Sequence, residues 1–266
     1  MLKLTHVYIY PVKSLAGIEL QEATSEERGL KYDRRWMLVD STGEFMSQRK
    51  YPRMALLIPG FDNDCLRITA PDTSTIEISL ENINGEITPV SVWSTDCNGY
   101  AVSDEANKWF SDQLDTECRL VFMGDQKREI SSKSLKNEGE VSYADGYPYL
   151  IVGQSSLDDL NDRLDESVPI NRFRPNLVFS KANPFEEDEW GDFKIGDIEF
   201  FGVKPCARCV MTTIDQLTGE KGKEPLKTLA TFRQRDNKIY FGLNAIIKKA
   251  GLIKVGDILE VAEPQK

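Results

Sequence analysis

One imidazole, His6, serves the whole chain of 266 residues. That argues against a zinc cage built on paired histidines and cysteines, because such a site needs four ligands, usually as two short-spaced pairs. Cysteine is also scarce: there are five, an odd number, thinly spread. That pattern fits a reducing compartment better than a disulfide framework. No apolar run approaches the ~20 residues needed to span a bilayer. The N-terminus, Met1 to His6, lacks an uninterrupted apolar stretch of the signal-peptide kind. Net positive charge is missing too. The balance is −10, which argues against non-specific nucleic-acid binding but leaves room for a local basic pocket. The expectation is a cytoplasmic protein with neither nucleic acid nor membrane as partner. At 40% hydrophobic and 29% charged residues the chain has enough apolar surface for one or two globular domains.

Two of the few cysteines stand together, in Lys204-Pro205-Cys206-Ala207-Arg208-Cys209, followed by Val210-Met211-Thr212-Thr213-Ile214-Asp215. Four readings compete. Both thiols are small buried hydrophobes; they form a redox pair; they are half of a zinc site; or one thiolate binds a soft transition metal while Arg208 attracts an anionic group beside it. The redox reading is weakened because the β-branched run after Cys209 favours a strand, whereas a redox pair opens a helix. Burial carries the most weight on chemistry alone, and metal ligation comes next.

The rest of the chain reads as mainly β. Leu2, Leu4, Tyr8 and Tyr10 alternate onto one strand face, stopped by Pro11. Lys13 and Ser14 then fall in a turn at a strand end, where a phosphate could sit. Asp33, Arg34 and Arg35 precede a hairpin, Met37–Asp40 to Glu44–Met46, turning at Ser41–Gly43. Further strands are expected at 65–69, 75–80, 90–93 and 119–122, with a helix capped by Ser103 and buried through Ala106, Trp109, Phe110 and Leu114. Residues 125–141 are polar and read as a long loop or linker. Tyr149–Val152 is a strand, and Ser156 is expected to cap a short helix, with Asp159 at its capping-box position. Arg172, Arg174 and Asn176 around Pro175 make an anion-binding rim. Glu186–Glu189 reads as a solvated acidic loop. Phe193–Ile198 and Ile253–Ile258 each read as strand, Gly-Asp turn, strand. Between them Leu226 and Leu229 start a helix, and Phe241–Asn244 is a polar break.

Taken together, Tyr10-Pro-Val-Lys-Ser14, Asp33-Arg34-Arg35-Trp36, Phe173-Arg-Pro-Asn176, Cys206-Ala-Arg-Cys209 with its Thr-Thr-Ile-Asp run, Phe241-Gly242 and Lys254-Val-Gly-Asp257 resemble the MOSC proteins. This is the family of the molybdenum cofactor sulfurase C-terminal domain, in the form that carries an N-terminal β-rich domain. The resemblance implies a mainly β (α+β) fold, with an N-terminal domain at 1–124, a polar linker at 125–142 and a β-barrel domain with small covering helices at 143–266. It implies a molybdenum cofactor (Mo-molybdopterin) between the domains, with Cys209 as metal ligand and Arg208 next to the metal. Lys13, Ser14, Arg34, Arg174, Asn176 and Asn244 match positions that hold the pterin and its phosphate, with Arg35 and Arg172 as weaker matches. Cys206 matches a cysteine that is not the ligand and stays a small buried residue.

The activity implied is reduction of N-hydroxylated compounds: amidoximes, hydroxylamines and hydroxylated bases. Some relatives continue into a domain with a Cys-rich iron–sulfur motif. No cysteine follows Cys209 here, so a separate donor is expected: a ferredoxin, a flavin reductase or a haem protein. The alternative is a cofactor carrier or sulfur-transfer module that turns over no organic substrate.

Overall fold

The computed structural model describes residues 1–80, 85–93, 95–130 and 139–262. The first part of the chain supplies β1 (Leu2–Ile9), β2 (Ile18–Leu20), β3 (Glu22–Glu26), β4 (Gly29–Leu30) and β5 (Trp36–Val39). A meander follows, β6 (Ile58–Asp62), β7 (Cys65–Thr69) and β8 (Thr75–Ser79), then β9 (Ile87–Val92), β10 (Thr95–Ala101), helix α1 (Asp104–Leu114) and β11 (Arg119–Phe122). Beyond residue 142 come β12 (Tyr149–Gly153), α2 (Gln154–Asn161), β13 (Leu177–Ser180), β14 (Asp192–Ile195) and β15 (Ile198–Arg208). The chain then forms α3 (Leu226–Arg233), β16 (Gln234–Arg235), β17 (Lys238–Lys249), β18 (Gly251–Lys254) and β19 (Ile258–Val261). Among the described residues no helix is long and apolar enough to cross a membrane.

The fold is mainly β, as expected, and its centre is a closed seven-stranded barrel. The strands run in the order β12, β13, β1, β19, β14, β15, β17, and β17 pairs back onto β12 through Leu150 and Asn244. Closure leaves no free edge in this ring. The barrel core is aromatic, with Tyr149, Phe179, Trp190, Phe193 and Phe200 packed against Leu4, Val7 and Ile9. β1 therefore belongs to the barrel, although the other six strands begin beyond residue 148. β3 likewise pairs with β18. The opening thirty residues are thus woven into the C-terminal barrel, and the chain crosses between the two halves as it leaves them.

Beside the barrel, the sheet β5-β11-β10-β9 and the meander β6-β7-β8 close over α1. Their shared core holds Trp36, Leu38, Leu66, Ile68, Phe110 and Leu120. The Ser103 hydroxyl accepts from the Ala106 amide at 3.1 Å and starts α1, a contact worth about 1 kcal/mol.

Several local expectations are corrected. The buried residues of β1 are Leu4, Val7 and Ile9, not one even-numbered face. The register slips between Leu4 and His6, and an extra residue in a strand moves every later side chain to the opposite face. Ser156 caps nothing: it donates to Glu187 Oε2 at 2.9 Å and accepts from the Phe185 amide. Asp159 pairs with Arg163. Glu187, in the acidic run read as solvated, is fully buried, because its carboxylate accepts from the Gly153 amide and Ser156 at the start of α2. Burial raises its pKa, though those hydrogen bonds oppose the shift.

Phe241–Asn244 is no break but the middle of β17. Gly242 makes this possible: its φ is +78°, and a Cβ there would lie 2.8 Å from the Ile151 carbonyl oxygen. The first Gly-Asp turn joins a true hairpin, β14 to β15, but the second sends β18 to pair with β3 and β19 back into the barrel. Of the polar stretch 125–141, residues 131–138 lie outside the described residues. Its ends are docked, with Ile130 and Val141 buried together.

Candidate functional site

A cleft of about 360 Å³ opens between the barrel and the N-terminal sheets. Lys13, Ser14, Arg34, Arg174, Asn176, Arg208, Cys209 and Asn244 all line it. These eight come from five separated segments, so their convergence is a product of the tertiary fold. Arg35 does not line the cleft; its guanidinium pairs with Glu26.

One wall is built where the chain leaves β1. The Lys13 amide donates to the Trp36 carbonyl at 2.8 Å and the Arg34 amide to the Tyr10 carbonyl at 2.9 Å, so the two turns brace each other. The Lys13 ammonium, nearly buried, donates to the Tyr143 carbonyl at 2.7 Å and to Asp145 at 2.5 Å. Burial lowers the lysine's pKa, and Asp145 opposes the shift. Packing alone would raise the Asp145 carboxyl. Lys13, the Trp93 indole N–H and Arg34 outweigh it and hold the group well below the usual carboxylate range. Arg34 donates to the fully buried Asp33 at 2.6 Å and to Asn176 Oδ1 at 3.1 Å. Burial by itself would lower its pKa, but Asp33 and Tyr10 outweigh burial and leave it raised.

The opposite wall is the turn between α2 and β13. Arg174 stacks its guanidinium 4.1 Å from the Tyr10 ring centroid, and Arg34 lies over the same ring at 4.4 Å. Arg174 Nη2 is buried with no partner among the described residues. Burial pushes this guanidinium down to about 10, Tyr10 offsetting part of the shift. Asn176 is held on both sides, donating to the Tyr8 carbonyl and accepting from the Leu150 amide. Ser14, Arg34 and Arg174 all have positive φ, at 69°, 49° and 54°. Left-handed backbone costs a residue with a side chain about 1 kcal/mol or more, and such strain gathers at binding sites.

Cys206 lies in β15 and Cys209 just beyond its end. The run after Cys209 is not a strand but one 3₁₀ turn, Val210–Thr213. Thr212 and Thr213 donate their hydroxyls back to the carbonyls of Cys209 and Val210, at 3.1 and 2.8 Å, and such back-bonding competes with strand pairing. The turn leaves Cys209 exposed at the cleft. Cys206 is half-buried rather than core, and Arg208 Nη1 donates to its sulfur at 3.1 Å. Arg208 Nη2 donates to the Phe173 carbonyl at 2.6 Å, while its Nε is buried with no partner among the described residues. Arg172 lines the cleft but is occupied elsewhere. It donates to the carbonyls of Thr212 and Glu224 and to Asp215, and so clamps the cysteine loop.

Sequence reasoning missed Asp145, Phe45, Arg49, Tyr147 and Lys204, which also line the cleft. An Asp-Gly pair such as 145–146 favours a turn, but nothing local ties it to Lys13.

The chain matches the MOSC N-terminal beta barrel domain over residues 1–117 and the MOSC domain over residues 138–260. It is similar to mitochondrial amidoxime reducing component 2 of Bos taurus, 34% identical over 272 residues that cover 95% of this chain and 81% of that protein. The protein of that name from Homo sapiens is 34% identical over 270 residues, 94% of this chain and 81% of its own length. Human mitochondrial amidoxime-reducing component 1 is 32% identical over 270 residues, covering 94% and 80%.

Proposed function

This chain belongs to the MOSC proteins that carry the N-terminal β-barrel domain, and on that premise we propose that it reduces N-hydroxylated compounds with a molybdenum cofactor and a separate electron donor. The relatives named as amidoxime-reducing components support a reductase role in general. The substrate class proposed is amidoximes, hydroxylamines and N-hydroxylated bases, and the proposed setting is the cytoplasm.

The observation that carries the cofactor reading is the set of unsatisfied donors around an exposed thiol. Arg174 and Arg208 line the cleft that Cys209 borders, and among the described residues their Nη2 and Nε, respectively, are buried without partners. An unpaired buried donor costs about 1–3 kcal/mol, more when charged, so the cleft calls for an anion with several acceptor oxygens. A pterin bearing a phosphate fits that description, and a thiolate is the soft ligand that molybdenum takes. Lys13, Ser14, Arg34, Arg174, Asn176 and Asn244 would hold the pterin and phosphate, and Cys209 the metal, with Arg208 beside it. When bound, the cofactor supplies two-electron redox chemistry; the protein supplies binding, orientation and electrostatics.

The residues have separable tasks. Arg34 and Asn176 are fixed by Asp33, Tyr8 and Leu150 before any ligand arrives, which limits the entropy lost on binding. Arg172 holds the loop that presents Cys209. Arg208, held by the Phe173 carbonyl and the Cys206 sulfur, sets a positive charge on the loop that carries Cys209. Protein purified from a host that makes the cofactor should contain molybdenum and pterin near one per chain and reduce benzamidoxime with a viologen donor. In Cys209→Ala both metal and turnover should disappear. Full metal content in that variant would refute the ligand assignment, and metal without turnover in the unaltered protein would favour a carrier role.

A further inference from the structure

Beside the cleft lies a second hollow of about 460 Å³, and the two share Phe45, Ser47 and Arg49 as a common border. Tyr51 and Trp93 are among its other walls. Of the four tryptophans, Trp36 and Trp190 are buried and Trp109 is half-buried, whereas Trp93 is 47% exposed. Trp93 is the first residue after β9, in the turn into β10, and its φ is +58°. Hairpin turns that need positive φ favour glycine, asparagine or aspartate, and a bulky side chain there is strained. Neither turn chemistry nor core packing accounts for a tryptophan at this place.

The surroundings of the indole hold it on several sides. Its N–H donates to Asp145 Oδ1 at 3.1 Å. Its ring lies 5.2 Å from that of Phe45, tilted by 55°, and the Arg49 guanidinium stands 4.0 Å from its centroid. Arg49 is also 5.9 Å from the Phe45 ring, and Lys13 Nζ is 4.9 Å from it. The aromatic pair thus runs from the hollow to the cleft wall. The backbone fixes it: the Phe45 amide donates to the Ser91 carbonyl at 3.2 Å and the Met46 amide to the Leu38 carbonyl at 2.8 Å. Strained residues persist where their neighbours over-determine them, and they gather at ligand sites.

Two rings and a planar cation, partly open to solvent, attract a flat aromatic group through stacking and cation–π contact and give little to a short alkyl chain. We propose that Trp93, Phe45 and Arg49 form a substrate subsite that selects N-hydroxylated compounds bearing a planar aryl group. The ring lies on this shelf and the N–O group reaches the cleft that Cys209 borders; the proposal rests on the reductase reading above. Trp93 then determines specificity and takes no part in bond breaking, so its removal raises KM for aryl substrates more than it lowers kcat. The competing task for Trp93 is to hold Asp145, and through it Lys13, by the indole N–H. Phenylalanine keeps a ring and removes that donor, which separates the two.

The test uses the cofactor-loaded protein and two amidoximes with the same N–O group, 2-naphthamidoxime and acetamidoxime. Two reduced methyl viologens and two protons are consumed per turnover, and amidine and water leave. The unaltered protein should favour 2-naphthamidoxime in kcat/KM. In Trp93→Ala the ratio of the two constants should fall about five- to tenfold, through KM of the aryl substrate, and in Trp93→Phe it should stay within about twofold. Binding of 2-naphthamide, which has no N–O bond to reduce, is followed on the same proteins by ligand-observed NMR. It should weaken in Trp93→Ala and persist in Trp93→Phe.

An unaltered protein that favours acetamidoxime, an unchanged ratio in Trp93→Ala, or an equal fall in Trp93→Phe would overturn the proposal. So would 2-naphthamide binding that ignores Trp93→Ala, and this measurement decides the case if that variant turns over neither substrate. No turnover of either amidoxime by the unaltered protein would instead sink the reductase reading. Binding of 2-naphthamide that is lost in Trp93→Ala and kept in Trp93→Phe would then still uphold the aryl subsite.

Discussion

Across the cleft two pairs of buried cations, Lys13 with Arg34 and Arg174 with Arg208, are held in opposite states. On the N-terminal wall Lys13 is paired with Asp145 and Arg34 with Asp33. On the barrel wall Arg174 and Arg208 belong to no ion pair among the described residues, and each keeps a buried N–H with no partner among them. The difference separates scaffold from receptor. A paired buried cation is neutralised in place and fixes geometry, whereas an unpaired one costs free energy until an anion arrives. The cleft is thus stiff on one side and demanding on the other.

The sharpest way to break this contrast is Asp33→Ala. Asp33 is fully buried and accepts from both Arg34 and the Tyr10 amide. Its removal strands a buried guanidinium and should destabilise the apo protein by about 3–5 kcal/mol in urea unfolding. Arg174→Met should do the reverse. The apo protein should be unchanged or up to about 1–3 kcal/mol more stable, since an unsatisfied charged donor is gone, while phosphate or pterin retention is lost. A large destabilisation by Arg174→Met would show that this wall, too, is structural.

The smallest effect concerns pH. The depressed carboxyl of Asp145 contributes stability that is present above the ordinary carboxylate range and is lost as pH falls through its folded value. Asp145→Asn should therefore flatten the acid side of the stability curve. Because the side chain is 61% exposed, less than about 1 kcal/mol is at stake. An unchanged acid slope would mean that Lys13 is fixed mainly by the Tyr143 carbonyl.

Much of this was legible in the residues. Ser103 caps α1 as its type and position demanded, and β7 and β11 run over the strands read from Cys65–Thr69 and Arg119–Phe122. The eight matched site residues do share one cleft. The misreadings have a common cause. Glu187 looked solvated because its partners, Gly153 and Ser156, lie about thirty residues away. Cys206 looked like core because nothing local shows that Arg208 turns onto its sulfur. The β1 face was misjudged because a bulge is set by the neighbouring strand, not by the strand's own alternation.

By itself the sequence determined the β-rich class, the Ser103 cap of α1, the hairpin turn between β14 and β15, and the residue types that bind anions and soft metals. These depend on backbone preference and side-chain chemistry over a few neighbours. Only the tertiary structure decided that β1 closes the barrel, that Lys13 meets a carboxylate 132 residues away while Arg174 forms no ion pair among the described residues, and that Cys209 is left exposed. Pairing, burial and net field are properties of what lies across a gap, and the partners across this cleft come from opposite ends of the chain.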